Sequence, residues 1–499
     1  MQIILTPDRV TAMASPLLYG QFLEHFHRQI YGGVYDPASH FADADGFRTD
    51  VIEALRGIRA PIIRWPGGCF VSSYDWKKGV GPVRTPVFDK AWRVEEPNTF
   101  GTDEFIRLCR KIGCEPYICT NAGTGTAWEM SDWVEYCNLK SEGEYARLRA
   151  GNGSPEPHNV RYWSIGNENY GHWEIGAKGS NEWAALATEA AKMMKRVDPE
   201  ISLSAAALVD LDWNVRLLSA CGSRLDWISI HGYWDNVQQT NALAPYARCM
   251  GYTEDLEAPV RRVRGLLNAM GLEKGIRIAF DEWNLRGWYH PNVHTLRQGV
   301  TPEEYLLPRD RNDDNNSYTM ADAVFSACFL NMVLRNADLV GMACFAPAVN
   351  TRGAIFTHPG GIVKRTTYYV FRMYTSLMGR EVIDLRAQGT PLYRVPGNEG
   401  PVDVPCVDTV AARCRETGAL TVALVNKHET DAQEVEIKSP LAFGLAELHT
   451  LCGESPDDYN DIGRETVKPF LNPGGILSNK RGSLLLRLPA HSVNILRLV

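Results

Sequence analysis

The stretch YWSIGNENYGHWEIG, Tyr162–Gly176, opens as an apolar strand and ends on an acid, Glu168, among polar and aromatic residues. IRIAFDEWN, Ile276–Asn284, repeats the pattern and ends on Glu282. Carboxylates are rarely buried unless they are paired, so two buried-looking runs ending this way need a reason. Six more runs share the apolar character: Leu18–Phe26, Ile62–Gly68, Glu115–Ala122, Ile201–Leu208, Trp227–Trp234 and Val340–Val349. They are apolar on both faces, as parallel strands covered by helices must be.

Segments of helical period lie between them. In TDEFIRLCRKIG, Thr102–Gly113, the residues Phe105, Leu108, Cys109 and Ile112 share one face, with Thr102 as N-cap and Gly113 just past the end. Ser180 caps a second helix that Pro199 stops, and Ser317–Asp338 reads as a third, well buried. Eight strand-then-helix units predict a (β/α)₈ (TIM) barrel in the α/β class. An open doubly wound sheet is the alternative, but no Gly-x-Gly-x-x-Gly opens a helix after an early strand.

Beyond residue 380 the period changes. ALTVALVNKH, AQEVEIKS and GSLLLRLPAHSVNILRLV are short strand-like runs with turns between them, which predicts a C-terminal β-sandwich. The first run, MQIILTP, is expected to pair into it. The expected organisation is an N-terminal strand at 1–15, the barrel at 16–379 and the sandwich at 380–499. Asn138–Asn159 and Trp288–Asn316 read as long polar loops.

Composition narrows the function. The net charge of −7 argues against a nucleic-acid or anionic-membrane partner and fits a neutral substrate. No run of apolar residues is long enough to span a membrane, and MQIILTPDRV lacks the features of a signal peptide. The twelve cysteines are scattered, none in a Cys-x-x-Cys pair or with zinc-type spacing, which predicts a reduced, cytoplasmic protein without a structural metal.

Barrel enzymes carry their chemistry at the carboxyl ends of the strands. Here those ends supply Glu24 and His25, Arg64, Asn121, Asn167 and Glu168, His231 and Tyr233, Asp281 to Asn284, and Asn350. Amides and acids hydrogen-bond sugar hydroxyls, and aromatic faces cover sugar rings. Two carboxylates flanking a glycosidic bond can hydrolyse it. Singly, Glu168 and Glu282 are ordinary strand-end acids. Together, at the fourth and seventh strand ends and each beside Trp and Asn, they read as a catalytic pair. His25 and His27 do not complete a metal site. The turn RWPGG lacks the Lys-Ser/Thr helix start of a phosphate loop. Trp76, Trp92, Trp128, Trp173 and Trp288 are open to two readings, core or sugar platform.

These residues resemble a known family, the α-L-arabinofuranosidases of glycoside hydrolase family 51, over nearly the whole chain. The resemblance rests on YGQFLEHFHRQIYGGVYDP, on RWPGGCF with YDWKKGVGP, on NTFGTDEF, and on GNE and FDEWN, all in the family's order. It implies a barrel plus a β-sandwich, hydrolysis with retention, Glu168 as general acid/base and Glu282 as nucleophile. It also implies no metal or organic cofactor and a homo-oligomer, commonly a hexamer. Glu24, Asn167 and Tyr233 match residues that hold the sugar or the nucleophile, and Arg64 matches an arginine near the nucleophile. Cys69, His231, Trp92, Trp288 and Asn350 complete the candidate substrate-binding set.

There are departures. Asn169-Tyr170-Gly171-His172-Trp173 follow Glu168 where the family has Met-Asp-Gly-Pro-Trp. Cys69 stands where many members have Asn, Asp75 where His is frequent, and Pro347 where some use Gln; NLRGWYH is longer than usual. The expected activity is exo-acting removal of terminal arabinofuranosyl units from arabinan- or arabinoxylan-type saccharides. The alternatives are the same mechanism on a galactofuranoside, β-xyloside or β-glucan, or a non-catalytic carbohydrate-binding barrel.

Overall fold

The computed structural model describes residues 1–237, 242–288, 313–440, 445–480 and 482–499. Eight parallel strands close into a barrel: β1 (Gly20–Phe22), β2 (Ile62–Trp65), β3 (Glu115–Thr120), β4 (Tyr162–Ile165), β5 (Ser202–Ala206), β6 (Trp227–Val237), β7 (Arg277–Trp288) and β8 (Val340–Phe345). Each lies within or overlaps one of the predicted runs. β1 is shorter than Leu18–Phe26. Ser15 Oγ accepts from Leu17 N–H at 3.2 Å and starts a short 3₁₀ turn over Pro16–Tyr19, which delays the strand. Residues after Phe22 leave the sheet and carry Glu24 to the rim.

β6 and β7 outrun their predicted ends. They stay paired past the rim, with Arg286 opposite Asp235 and Trp288 opposite Val237. The cause is a buried ion cluster: Arg286 donates to Asp235 at 2.6 Å and, through two nitrogens, to Asp322 at 3.0 and 3.2 Å. Asp322 belongs to the helix Met320–Arg335, which is buried along almost its whole length, as its sequence predicts. On the barrel side Phe329 stacks on Trp283 at 3.7 Å, and on the other side Asn331 donates to Asp408 of the C-terminal sheet at 2.7 Å.

The helix over Thr102–Ile112 ends at Gly113, which adopts φ +87°. Its N-cap is Gly101 rather than Thr102, because Glu104 reaches back to the Gly101 N–H at 2.9 Å. A helix also crosses the predicted loop Asn138–Asn159, at Glu144–Gly151. It is pinned by Arg149, fully buried, which donates to the carbonyls of Tyr136, Leu139, Lys140, Ser154 and Pro155. Most of the predicted loop Trp288–Asn316 lies outside the described residues.

The C-terminal region is a ten-stranded, mostly antiparallel sheet. The N-terminal strand Gln2–Met13 lies inside it, antiparallel to Glu381–Gln388 and parallel to Gln433–Lys438. The sheet curls over its own core of Ile3, Leu5, Val422, Leu424, Val435, Leu448, Leu486 and Leu496. Near its two edges, Asn472 N–H bonds the Leu448 carbonyl at 2.7 Å, and Gly475 packs between Leu448 and Arg487. The strand Leu420–Asn426 is buried on both faces, because Ala423 and Val425 point the other way into the barrel-side core. Among the described residues no helix is long and apolar enough to cross a membrane.

Candidate active site

The barrel interior is polar near the carboxyl end of its strands. Arg64, on β2 and with no exposed surface, lies at the centre. Its Nη1 donates to Glu282 Oε2 at 2.9 Å and its Nη2 to Asn167 Oδ1 at 2.8 Å. Its Nε lies at ion-pair distance, 3.4 Å, from Asp281. Asp281 also accepts from Tyr117 at 2.7 Å and Ser229 at 2.6 Å.

Asp281 and Glu282 are consecutive, and a regular strand would send them to opposite faces. A β-bulge prevents this. The pairing of β7 slips between Ala279 and Glu282 against β6, and between Phe280 and Trp283 against β8. Bulges recur beside active sites because they re-aim a side chain. Here both acids turn inward. Glu282 is held on its other oxygen by Tyr233 OH at 2.5 Å.

Glu168 arrives by a sharp turn after β4. Gly166 takes φ +70°, and a Cβ there would lie 2.0 Å from Asn169 Oδ1. Glu168 itself sits at φ +44°, strained for a side-chain-bearing residue and typical of functional positions. Its Oε2 accepts from Trp173 Nε1 at 2.9 Å; its Oε1 faces His231 Nδ1 at 2.8 Å and Tyr170 OH at 3.3 Å. Burial pushes this carboxyl up, but hydrogen bonds from His231 and Trp173 and the charge of Arg64 bring it below its ordinary value. Single oxygens of Glu168 and Glu282 and a ring nitrogen of His231 all lie within 4.8 Å of one another.

Two further carboxyls line the same space. Glu24 accepts from Trp92 Nε1 at 2.9 Å and from the Phe70 N–H at 3.1 Å. The Gly67-Gly68 turn brings bare backbone against Glu24 and Glu282; a Cβ on Gly68 would lie 3.3 and 3.5 Å from their oxygens. Glu174 accepts from Ser72 Oγ at 2.7 Å and from Asn167 Nδ2 at 3.1 Å. Burial, and then neighbouring acids, raise both Glu24 and Glu174 to about 8. Cys69 adjoins Glu174 and Glu168. Burial and the surrounding carboxylates push its thiol well up, so it is a neutral S–H.

The structure therefore brings together Glu24, Arg64, Cys69, Asn167, Glu168, His231, Tyr233 and Glu282. Trp92 acts on Glu24 rather than as an open platform. Asn350 is elsewhere: it is sealed, and its amide bonds the Arg28 carbonyl and Thr357, which pins a loop. The Trp288 side chain lies outside the described residues. His25 is held by Glu96 and Trp65, and Trp76 is core; Trp128 is 67% exposed. Glu174 is absent from the sequence-derived set. Its only signal is its position beside Trp173 in the loop that follows Glu168.

Two carboxylates whose oxygens come within 4.8 Å of each other at the mouth of a β/α barrel can flank one glycosidic bond, which is the arrangement of a glycoside hydrolase. Residues 281–492 match the family model of the α-L-arabinofuranosidase C-terminal domain, and residues 54–249 that of the α-L-arabinofuranosidase 1 domain. An intracellular exo-α-(1→5)-L-arabinofuranosidase of Halalkalibacterium halodurans is 34% identical over 496 residues, covering 96% of this chain and 95% of the relative. The arabinose complex of the Thermotoga maritima α-L-arabinofuranosidase and the GH51 enzyme of Thermotoga petrophila each superpose with a TM-score of 0.86, at 33% identity and over 100% of both chains. The chain belongs to glycoside hydrolase family 51, the α-L-arabinofuranosidases.

Proposed function

We propose that this enzyme removes terminal α-L-arabinofuranosyl units from arabinan- or arabinoxylan-type saccharides by double displacement, with Glu282 as nucleophile and Glu168 as acid/base. Glu282 attacks C1 as the bond from C1 to the leaving oxygen breaks, and Glu168 delivers a proton to that oxygen. In the second half Glu168 takes a proton from water, the water oxygen bonds C1, and Glu282 departs. The observation that carries the assignment is the asymmetry of the pair. Glu282 is fixed on both oxygens by Tyr233 and Arg64, which suits an ionised nucleophile. Glu168 sits on a turn beside an ionisable ring, which suits a group that gains and loses a proton.

Glu24, Asn167, Cys69 and Glu174 are the proposed contacts to the sugar. As neutral acids at pH 7, Glu24 and Glu174 can donate as well as accept. A panel of aryl α-L-arabinofuranoside, β-D-galactofuranoside, β-D-xyloside and β-D-glucoside substrates tests the reading. Turnover confined to a sugar other than arabinofuranose would refute the substrate; none on any would refute the enzyme.

A cytoplasmic location is proposed from the free cysteines and from the intracellular relative. A homo-oligomer, a hexamer in the first instance, is proposed from the resemblance, and light scattering on the purified protein decides it.

A further inference from the structure

His231 was expected to bind substrate, but its ring is occupied by acids. Nδ1 lies 2.8 Å from Glu168 Oε1 and 3.7 Å from Glu282 Oε2, and Nε2 lies 3.5 Å from Asp281 Oδ1. The groups facing the ring are therefore Glu168 from the loop after β4 and Asp281 and Glu282 from β7. Arg64 of β2 stands behind the two β7 acids, and Tyr170 OH donates to the same Glu168 Oε1 that faces the ring. The side chain is almost fully buried, so neither nitrogen is left for a sugar hydroxyl.

We propose that His231 is a positioning residue that stores the catalytic proton: in the free enzyme the proton sits on Nδ1 beside an ionised Glu168, and it crosses the 2.8 Å gap when substrate is in place. This inference rests on the assignment of Glu168 as acid/base. The balance closes. The Nδ1–H bond breaks and an O–H bond forms on Glu168 Oε1; the ring becomes neutral and keeps its Nε2–H towards Asp281. Glu168 then passes the proton to the leaving oxygen. In the second half water gives a proton to Glu168, which returns it to Nδ1. The surrounding charge agrees with this resting state. Burial lowers the ring's basicity, but Glu282, Asp281 and Glu168 outweigh it and raise His231 to about 10, while Glu168 is held low. Arriving sugar displaces water from Glu168 and disfavours its charged form, which moves the proton across.

The test is His231→Asn, whose amide nitrogen takes the place of Nδ1 and still donates to Glu168 but cannot release a proton. On a phenyl arabinofuranoside, which needs an acid, kcat/KM falls about 100-fold or more. On the 2,4-dinitrophenyl analogue, which does not, it changes by less than about fivefold. The alkaline limb of kcat/KM against pH moves acidward by more than about one unit, because the proton must now reside on Glu168 alone. Equal losses on both substrates with an unmoved alkaline limb would overturn the proposal and leave His231 a packing residue. Labelled-histidine NMR of the unmutated enzyme at pH 7 gives a second reading, independent of whether the variant folds: a charged His231 ring is expected, and a neutral one overturns the proposal. Glu168→Ala run alongside separates the two assignments. If Glu168 is not the acid, that variant loses equally on both substrates in kcat/KM.

Discussion

Asp281 and Glu282 are neighbours in the chain, and both carboxylates reach the same guanidinium, that of Arg64. Only the bulge in β7 makes this possible, and it divides the labour. Asp281, without exposed surface, neutralises Arg64 and receives Tyr117 and Ser229. Glu282 is left at the rim with one oxygen on Arg64 and one on Tyr233.

Removing the pair one at a time separates the roles. Glu282→Gln lowers kcat about 10⁴-fold or more on every substrate. Glu168→Ala slows turnover of the 2,4-dinitrophenyl substrate at breakdown of the glycosyl-enzyme, and added azide restores it by giving an arabinofuranosyl azide of retained configuration. NMR of the azide product checks the stereochemistry; an inverted azide from this variant would exchange the two assignments.

Arg64→Met leaves Asp281 and Glu282 with only the His231 ring as counter-charge, which already serves Glu168. Breaking a buried pair from one side costs about 3–5 kcal/mol, so urea denaturation should register a loss of that order. Arg64→Lys keeps the charge but loses the fork that spans Glu282 and Asn167, and should recover stability better than activity.

Glu174 makes stability fall as pH rises. In the unfolded chain its carboxyl ionises near its ordinary value of 4.5, and in the fold it holds its proton to about 8. Between those values the folded protein binds more protons, so unfolding free energy decreases with pH across the window. Glu24 acts in the same direction. Glu174→Gln, measured by denaturation at pH 5 and pH 8, should flatten the slope; a slope unchanged from the parent would mean Glu174 is ionised throughout.

Gly166→Ala meets two obstacles, the φ of +70° and the 2.0 Å approach to Asn169 Oδ1. Backbone strain of this kind costs about 1–3 kcal/mol. Because the turn aims Glu168, kcat should fall with stability. Wild-type kcat at a lowered melting temperature would show that the turn does not set the geometry of Glu168.

The barrel was legible because eight doubly buried strands leave eight apolar runs, and the acid pair was legible because each member ends such a run. What stayed hidden depends on contacts between distant segments. The bulge at Phe280–Glu282 has no periodic signature, so the shared orientation of Asp281 and Glu282 could not be read. Asn350 lies just past β8 as a sugar ligand would, yet its amide is spent on Arg28 and Thr357. Glu174 looked like a loop acid because its partners Ser72 and Asn167 come from other turns. The helix Glu144–Gly151 is short and weakly patterned; the buried Arg149 that fastens it reads in sequence as one more surface charge.

Gln2–Met13 is held between Glu381–Gln388 and Gln433–Lys438, which leave the ribosome long after it does. During synthesis this strand must wait with both hydrogen-bonding edges open, a template for unwanted pairing until those two partners emerge. Deleting it would unzip the sheet from the middle rather than trim its margin, and a gene fragment without it would encode a protein with a slot where this strand belongs.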